Sequence, residues 1–338
     1  MNLFYKLLSL LLFFYFGAQF NPIYSQETEM FYRPNTLMKQ LKVKKVTITK
    51  LQFKFGNPTA ETKFKVEEYS EIGSIIKEVG YTGGEIQYSR EYSYNSEGRL
   101  KEDRIEWQNV GFRKHDFYRE IGRLGDRQLF SYNEKGFLSE VAEFNEDDKL
   151  IGKRTIRYDN SGNIIEEIKY GHQCDVDSKS VIVYDAIGNK IEEQIIFGGS
   201  RSGHKYFYKY NSKGEVISKI SSEPDTIWYD RDSLGNVLKQ TTSEAFRDNY
   251  SYIIDNYSKQ GKLILSKTFN SSGSLDFQKA FEYDSSGMII SYSFHQDENG
   301  KKIAYSYDRN HLIQSYRELG SSEEPKSETK FSYTFYDK

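Results

Sequence analysis

One pattern governs the chain: an aromatic residue, then Asp or Asn, two free positions, then Gly. It recurs at Tyr94-Asn95-Ser96-Glu97-Gly98, Tyr132-Asn133-Glu134-Lys135-Gly136, Tyr158-Asp159-Asn160-Ser161-Gly162 and Tyr184-Asp185-Ala186-Ile187-Gly188. Further copies are Tyr210-Asn211-Ser212-Lys213-Gly214, Phe269-Asn270-Ser271-Ser272-Gly273 and Tyr283-Asp284-Ser285-Ser286-Gly287. Looser copies pair Phe144-Asn145 with Asp148, Tyr257 with Gly261, Asp232 with Gly235, Asp297 with Gly300, and Tyr307-Asp308 with His311. An Asp or Asn side chain accepts N–H bonds from the backbone ahead of it, and Gly reverses the chain at positive φ without steric cost. A type I turn followed by a left-handed residue is a common hairpin connection. Asp148 and His311 are among the non-Gly types that tolerate that geometry best.

The intervals between turns then give the strands. With about five residues per turn, roughly eight remain for each strand, about 27 Å at ~3.4 Å per residue. Gly171 and Gly198 mark drifted turns midway through the longer intervals. Period-two alternation supports strands over helices: Tyr92 precedes Tyr94, Ile156 precedes Tyr158 and Phe281 precedes Tyr283, while Ser93, Arg157 and Glu282 face the other way. The expected fold is all-β, a meander of about twenty antiparallel strands forming a long curved or partly closed single-layer sheet. It comprises a degenerate N-terminal β region over 27–91, continuous with the hairpin repeats of 92–338. Residues 37–54 read as Lys-rich strands, with lysines guarding an exposed sheet edge or forming an anion-facing patch. Phe331, Tyr333 and Phe335 close the chain on one face of a last strand.

Composition excludes several classes. With 28 Tyr and 23 Phe but only 5 Pro, the chain has too much bulky apolar material for disorder. A net charge of -2 removes the electrostatic footprint that a phosphate backbone requires, so no nucleic-acid partner is expected. The lone Cys174 cannot close an intramolecular disulfide. Residues 1–26 have a signal-peptide layout, with Lys6, an apolar run over 7–16 and the small Gly17 and Ala18. Cleavage is expected between Ala18 and Gln26, an uncleaved anchor being the alternative.

The tyrosine-aspartate turns resemble the YD repeats of the RHS family over about 92–313, which implies meandering sheets that curl into shells. Large members of that family enclose a C-terminal toxin behind a self-cleaving boundary. No such boundary is visible here, so the resemblance implies the fold and not toxin delivery. Aromatic hairpin repeats of choline- and glucan-binding wall proteins are a weaker likeness, since their cages use Trp and this chain has only Trp107 and Trp228.

No nucleophile elbow, His-Glu-x-x-His helix or phosphate loop is present. His172, Cys174, Asp175 and Asp177 form the densest group of ligand types, a weak metal candidate confined to one turn. Glu166 and Glu193 interrupt apolar rows, Ile164/Ile168 and Ile191/Ile195, which predicts a partly wet inner face. The expectation is an exported, non-enzymatic repeat protein without a cofactor. It would offer a surface at the envelope or outside the cell to a protein or envelope component. The alternatives are a polysaccharide-binding repeat protein and an outer-membrane β-barrel.

Overall fold

The computed structural model describes residues 35–54, 57–108, 125–171, 175–198, 203–221, 226–244, 249–296, 299–320 and 324–336. The proposed signal segment lies outside them. One short helix, α1 (Asn35–Gln40), precedes β1 (Val43–Lys54), β2 (Asn57–Tyr69), β3 (Ile75–Thr82), β4 (Glu85–Tyr94), β5 (Leu100–Trp107), β6 (Arg127–Tyr132), β7 (Leu138–Phe144) and β8 (Leu150–Tyr158). Next come β9 (Ile164–Tyr170), β10 (Val176–Tyr184), β11 (Lys190–Phe197), β12 (Gly203–Tyr210), β13 (Val216–Ser221), β14 (Thr226–Arg231) and β15 (Val237–Glu244). The last are β16 (Asn249–Tyr257), β17 (Leu263–Phe269), β18 (Leu275–Tyr283), β19 (Ile289–Gln296), β20 (Asn299–Tyr307), β21 (Ile313–Leu319) and β22 (Pro325–Phe335). They belong to one 22-stranded sheet in which each strand pairs with its successor.

The turns obey the repeat chemistry. At Asp185 the backbone N–H bonds to the Asn189 carbonyl at 2.8 Å, and Gly188 N–H to the Asp185 carbonyl at 3.1 Å. The Asp185 carboxylate accepts from the N–H groups of Ile187 at 3.0 Å and Asn189 at 2.8 Å. Gly188 stands at φ 91°, while Asp148 and His311 take the same slot at 58° and 63°. Strand registers shift beside these turns, as between Val183 and Tyr184, where the extra residue forms a bulge. Tyr69-Ser70-Glu71-Ile72-Gly73 is a further copy, with Ser70 Oγ accepting from Ser74 N–H at 3.2 Å and Gly73 at φ 83°. In one expected copy the glycine is not at the turn, since β19 ends at Gln296 and β20 begins at Asn299. Gly300 lies within β20 against the His295 ring, and Asp297 lies outside the described residues.

The motif tyrosine has a second task. Tyr184 Oη donates to the Ile164 carbonyl at 2.9 Å, two residues beyond the glycine of the preceding turn. Tyr94 to Ile75, Tyr158 to Leu138, Tyr210 to Lys190, Tyr283 to Leu263 and Tyr333 to Ile313 repeat that bond. Where Arg231 replaces the aromatic, its Nε donates to the equivalent Val216 carbonyl at 3.0 Å. Successive hairpins are thereby stapled along one edge, each bond adding about 0.5–1.5 kcal/mol.

The N-terminal region corrects the sequence reading. β1 pairs on one side with β2, Val46 opposite Glu67, and on the other with β22, Val46 opposite Tyr333 and Ile48 opposite Phe331. It is therefore no exposed edge, and its lysines do not guard one. Residues 37–40 are helical rather than extended because Leu37, Met38 and Leu41 share a face. That face covers Val43, Val46, Ile48, Tyr69 and Leu312. Lys42, at φ 53°, ends the helix in the left-handed conformation usual at such a cap. This cluster is the best-buried apolar core, with Met38, Val43 and Val46 fully enclosed.

Contacts divide the chain into two compact units. The first takes residues up to 131 with 141–151 and 303–338; the second takes 132–140 and 152–302.

Candidate functional site

In an antiparallel ladder, residues directly opposite share a face. That rule collects side chains from distant turns into two charged groups, one in each unit.

In the first unit, Glu67 stands opposite Glu78, Glu78 opposite Arg90, and Tyr92 opposite Asp103. Lys65 Nζ lies 2.7 Å from Glu67 and 3.2 Å from Glu78. Tyr69 Oη donates to Glu67 at 2.9 Å and Tyr88 Oη to Glu78 at 2.7 Å. Arg90 grips Asp103 with two bonds, of 2.9 and 2.5 Å, and its guanidinium lies 4.9 Å from the Tyr92 ring centre. Gly80 sits beneath the Tyr88 ring, where a Cβ would collide with it. Every charge here touches an opposite one, and Glu67, Glu78, Arg90 and Asp103 are buried.

In the second unit, Glu193 stands opposite Tyr206, Tyr208 opposite Lys219, and Lys219 opposite Ile227. Glu193 Oε2 accepts from Tyr208 Oη at 2.8 Å and from Lys190 Nζ at 3.1 Å. Lys190 lies 4.5 Å from the centre of the Tyr208 ring. Lys219 Nζ lies 4.0 Å above the Tyr206 ring centre and 5.9 Å from that of Tyr208. Among the described residues, no oxygen accepts a hydrogen bond from Lys219 and no carboxylate pairs with it. Tyr229 shares this face opposite Gln240, and its hydroxyl has no hydrogen-bond partner among those residues. The group holds two ammoniums and one carboxylate.

The residues singled out in the sequence fare differently. Asp175 and Asp177 are exposed, and their main-chain carbonyls accept from Gly171 at 2.9 Å and Gly198 at 2.7 Å. His172 and Cys174 lie outside the described residues. Among the described residues no group of His, Cys, Asp and Glu could hold a metal. Glu166 and Glu193 do not share an inner face. Glu166 is opposite Val181, and Val181 is opposite Gln194, so Glu193 projects the other way. The reason is register: Glu166 is four residues past its turn glycine and Glu193 five, and one residue flips the face. Glu166 is held by Arg157 at 3.1 Å and Lys179 at 2.6 Å. Sequence reading passed over Lys219 because its partners come from other strands. The alternation Tyr206, Tyr208, Tyr210 on β12 was the signal available.

No protein-family model matches the chain, and no curated protein matches it. Solved structures show distant likeness. A Tc holotoxin pore of Photorhabdus luminescens gives a TM-score of 0.40 at 10% identity, over 80% of this chain and 16% of that one. A porin-like protein from Bacteroides uniformis gives 0.28 at 11% identity, over 86% of this chain and 98% of that one. Its counterpart from Bacteroides vulgatus gives 0.23 at 11% identity over the same shares. This chain thus spans about a sixth of the toxin chain and nearly all of the porin-like ones.

Proposed function

We propose that this chain is an exported, non-enzymatic β-barrel of the cell envelope, built on YD-type turns. The pairing of β22 with β1 carries this reading. A sheet whose first strand is bonded on both sides offers no edge, which favours a barrel over an open sheet with a long binding surface. Export is supported by the signal-peptide layout of residues 1–26.

Two placements of such a barrel are supported by different observations. Among the described residues the antiparallel strands are even in number and in strict next-neighbour order, the plan of outer-membrane barrels, which supports one that spans the bilayer. A barrel standing in water, its wall offered to protein or polysaccharide, is supported by wall chemistry. Arg157, Glu166 and Lys179 form ion pairs on one face, Lys205 pairs with Glu192 on that same face, and a lysine or arginine at mid-bilayer costs about 2–4 kcal/mol. Strands β6 to β21 run six to nine residues, against the ~9–11 of a spanning strand.

Fractionation of cells making the full chain tests the reading. The barrel account expects the mature protein in the envelope, folded and resistant to protease across β1 and β22. Recovery in the cytoplasm, or ready cleavage within β1, would overturn it. Release by alkaline carbonate places the barrel in water; release by detergent alone places it in the bilayer.

A further inference from the structure

The Lys219 face carries a cation that no carboxylate of the described residues touches. Lys190 and Lys219 bring two positive charges to one carboxylate, Glu193, whose Oε2 already accepts from Tyr208 at 2.8 Å and Lys190 at 3.1 Å. Lysines on the opposite face are met directly, Lys205 by Glu192 at 2.6 Å and Lys179 by Glu166 at 2.6 Å. Lys219 instead rests on the Tyr206 ring, with Tyr208, Ile227 and Tyr229 around it on the same face. An ammonium over aromatic rings, with its N–H groups unused by the protein, suits a ligand having both an anion and a broad face of C–H bonds. The Tyr229 hydroxyl adds a polar atom to that row.

We infer that this face of β11–β14 binds an acidic sugar, the ligand carboxylate meeting Lys219 and the pyranose ring lying against tyrosine. A bare anion would use the lysine and leave the rings idle; a neutral sugar would use the rings and leave the charge unmet. The inference goes beyond the envelope-barrel reading and holds for either placement of the wall.

Titration of the full mature chain with glucuronate, glucose and acetate, read by saturation-transfer NMR and calorimetry, tests it. Glucuronate is expected to bind, with glucose and acetate each at least about tenfold weaker, since a charge-assisted hydrogen bond is worth roughly one such factor or more. Lys219→Met should weaken glucuronate at least about tenfold without shifting the thermal midpoint, and Lys205→Met should leave binding intact. Should the first variant not fold, Tyr229→Leu is the second: it should weaken glucuronate and leave acetate unchanged. No glucuronate binding, acetate or glucose equal to glucuronate, or unchanged binding in the variants would each overturn the inference.

Discussion

On β2–β5, Glu67, Glu78, Arg90 and Asp103 are each at most 9% exposed, and three carboxylates face two cations that touch them directly. On β11–β13, Lys190 and Glu193 are each 19% exposed at the side chain, and two cations share one carboxylate. Both groups set lysine, glutamate and tyrosine together on one face of their strands. They differ in what the neighbouring strand supplies. In the first unit Asp103 gives Arg90 a bidentate acceptor, and the charges are consumed in holding strands together. In the second, β14 gives Lys219 an isoleucine, and a charge is left for something else. A paired, buried group is a structural clamp whose loss is felt in stability. A group holding a cation that no carboxylate touches can be altered with little effect on folding.

The largest expected effect follows from that contrast. Asp103→Leu strands the Arg90 guanidinium in the interior and should lower unfolding free energy by about 3–5 kcal/mol, read by urea denaturation. Lys219→Met, by contrast, should leave the urea midpoint nearly unchanged. Equal losses in the two variants would erase the distinction between the units.

Next is Gly80→Ala, which pushes Tyr88 off Glu78. About 1–3 kcal/mol should be lost, as for other overpacked sites, and amide exchange should quicken in β3 and β4 rather than in the second unit.

The turns, unlike the faces, are common to both units. Gly98 and Gly188 stand at φ 77° and 91° with open space where a Cβ would go. Alanine at either should therefore cost a similar ~1–2 kcal/mol from backbone strain alone. Asp148→Gly relieves φ 58° but gives up the ion pair with Arg127 at 3.2 Å, so the thermal midpoint should move less than for either alanine. Tyr184→Phe removes one staple and should cost about 0.5–1.5 kcal/mol.

The smallest effect is a pH dependence at the aspartate turns of the second unit. Asp159 and Asp232 are held below the usual carboxyl range by the side chains of Asn163 and Asn236, and Asp284 by the Ser286 hydroxyl. At Asp185 desolvation opposes the shift, but the Asn189 backbone and side-chain bonds prevail. A depressed carboxyl contributes stability above its unfolded value, about 3.9, and loses it as pH falls through the lower folded value. Acidification below about pH 4 should loosen amides beside these turns, and Asp→Asn at the four should weaken that dependence locally.

Sequence revealed the turns because each carries its own chemistry within five residues. The Ser70 turn went unread although serine fills the same slot in the Tyr257–Gly261 copy. The faces were less legible: Glu166 and Glu193 each sit between isoleucines and looked alike, yet they stand four and five residues past their turn glycines and are opposed. The β1–β22 pairing was invisible, since nothing in Val46 announces Tyr333. Helix α1 was lost in a lysine-rich stretch whose Leu37, Met38 and Leu41 give its only periodic signal. The Lys219 group was hidden for the same reason as the seam, because cross-strand neighbours are remote in sequence.

The return of the ladder to its first strand is the claim on which the rest depends, and a disulfide across that seam tests it most directly. In a Cys174→Ser background, Thr47→Cys and Ser332→Cys place two thiols on directly opposed residues of β1 and β22. Opposed Cα atoms about 4.5–5.5 Å apart lie within the range a disulfide bridges. The account predicts near-complete intramolecular crosslinking of the folded protein under mild oxidation, with none when Ser332→Cys is replaced by Ser315→Cys on β21. Two free thiols in a protein that is otherwise folded would contradict it.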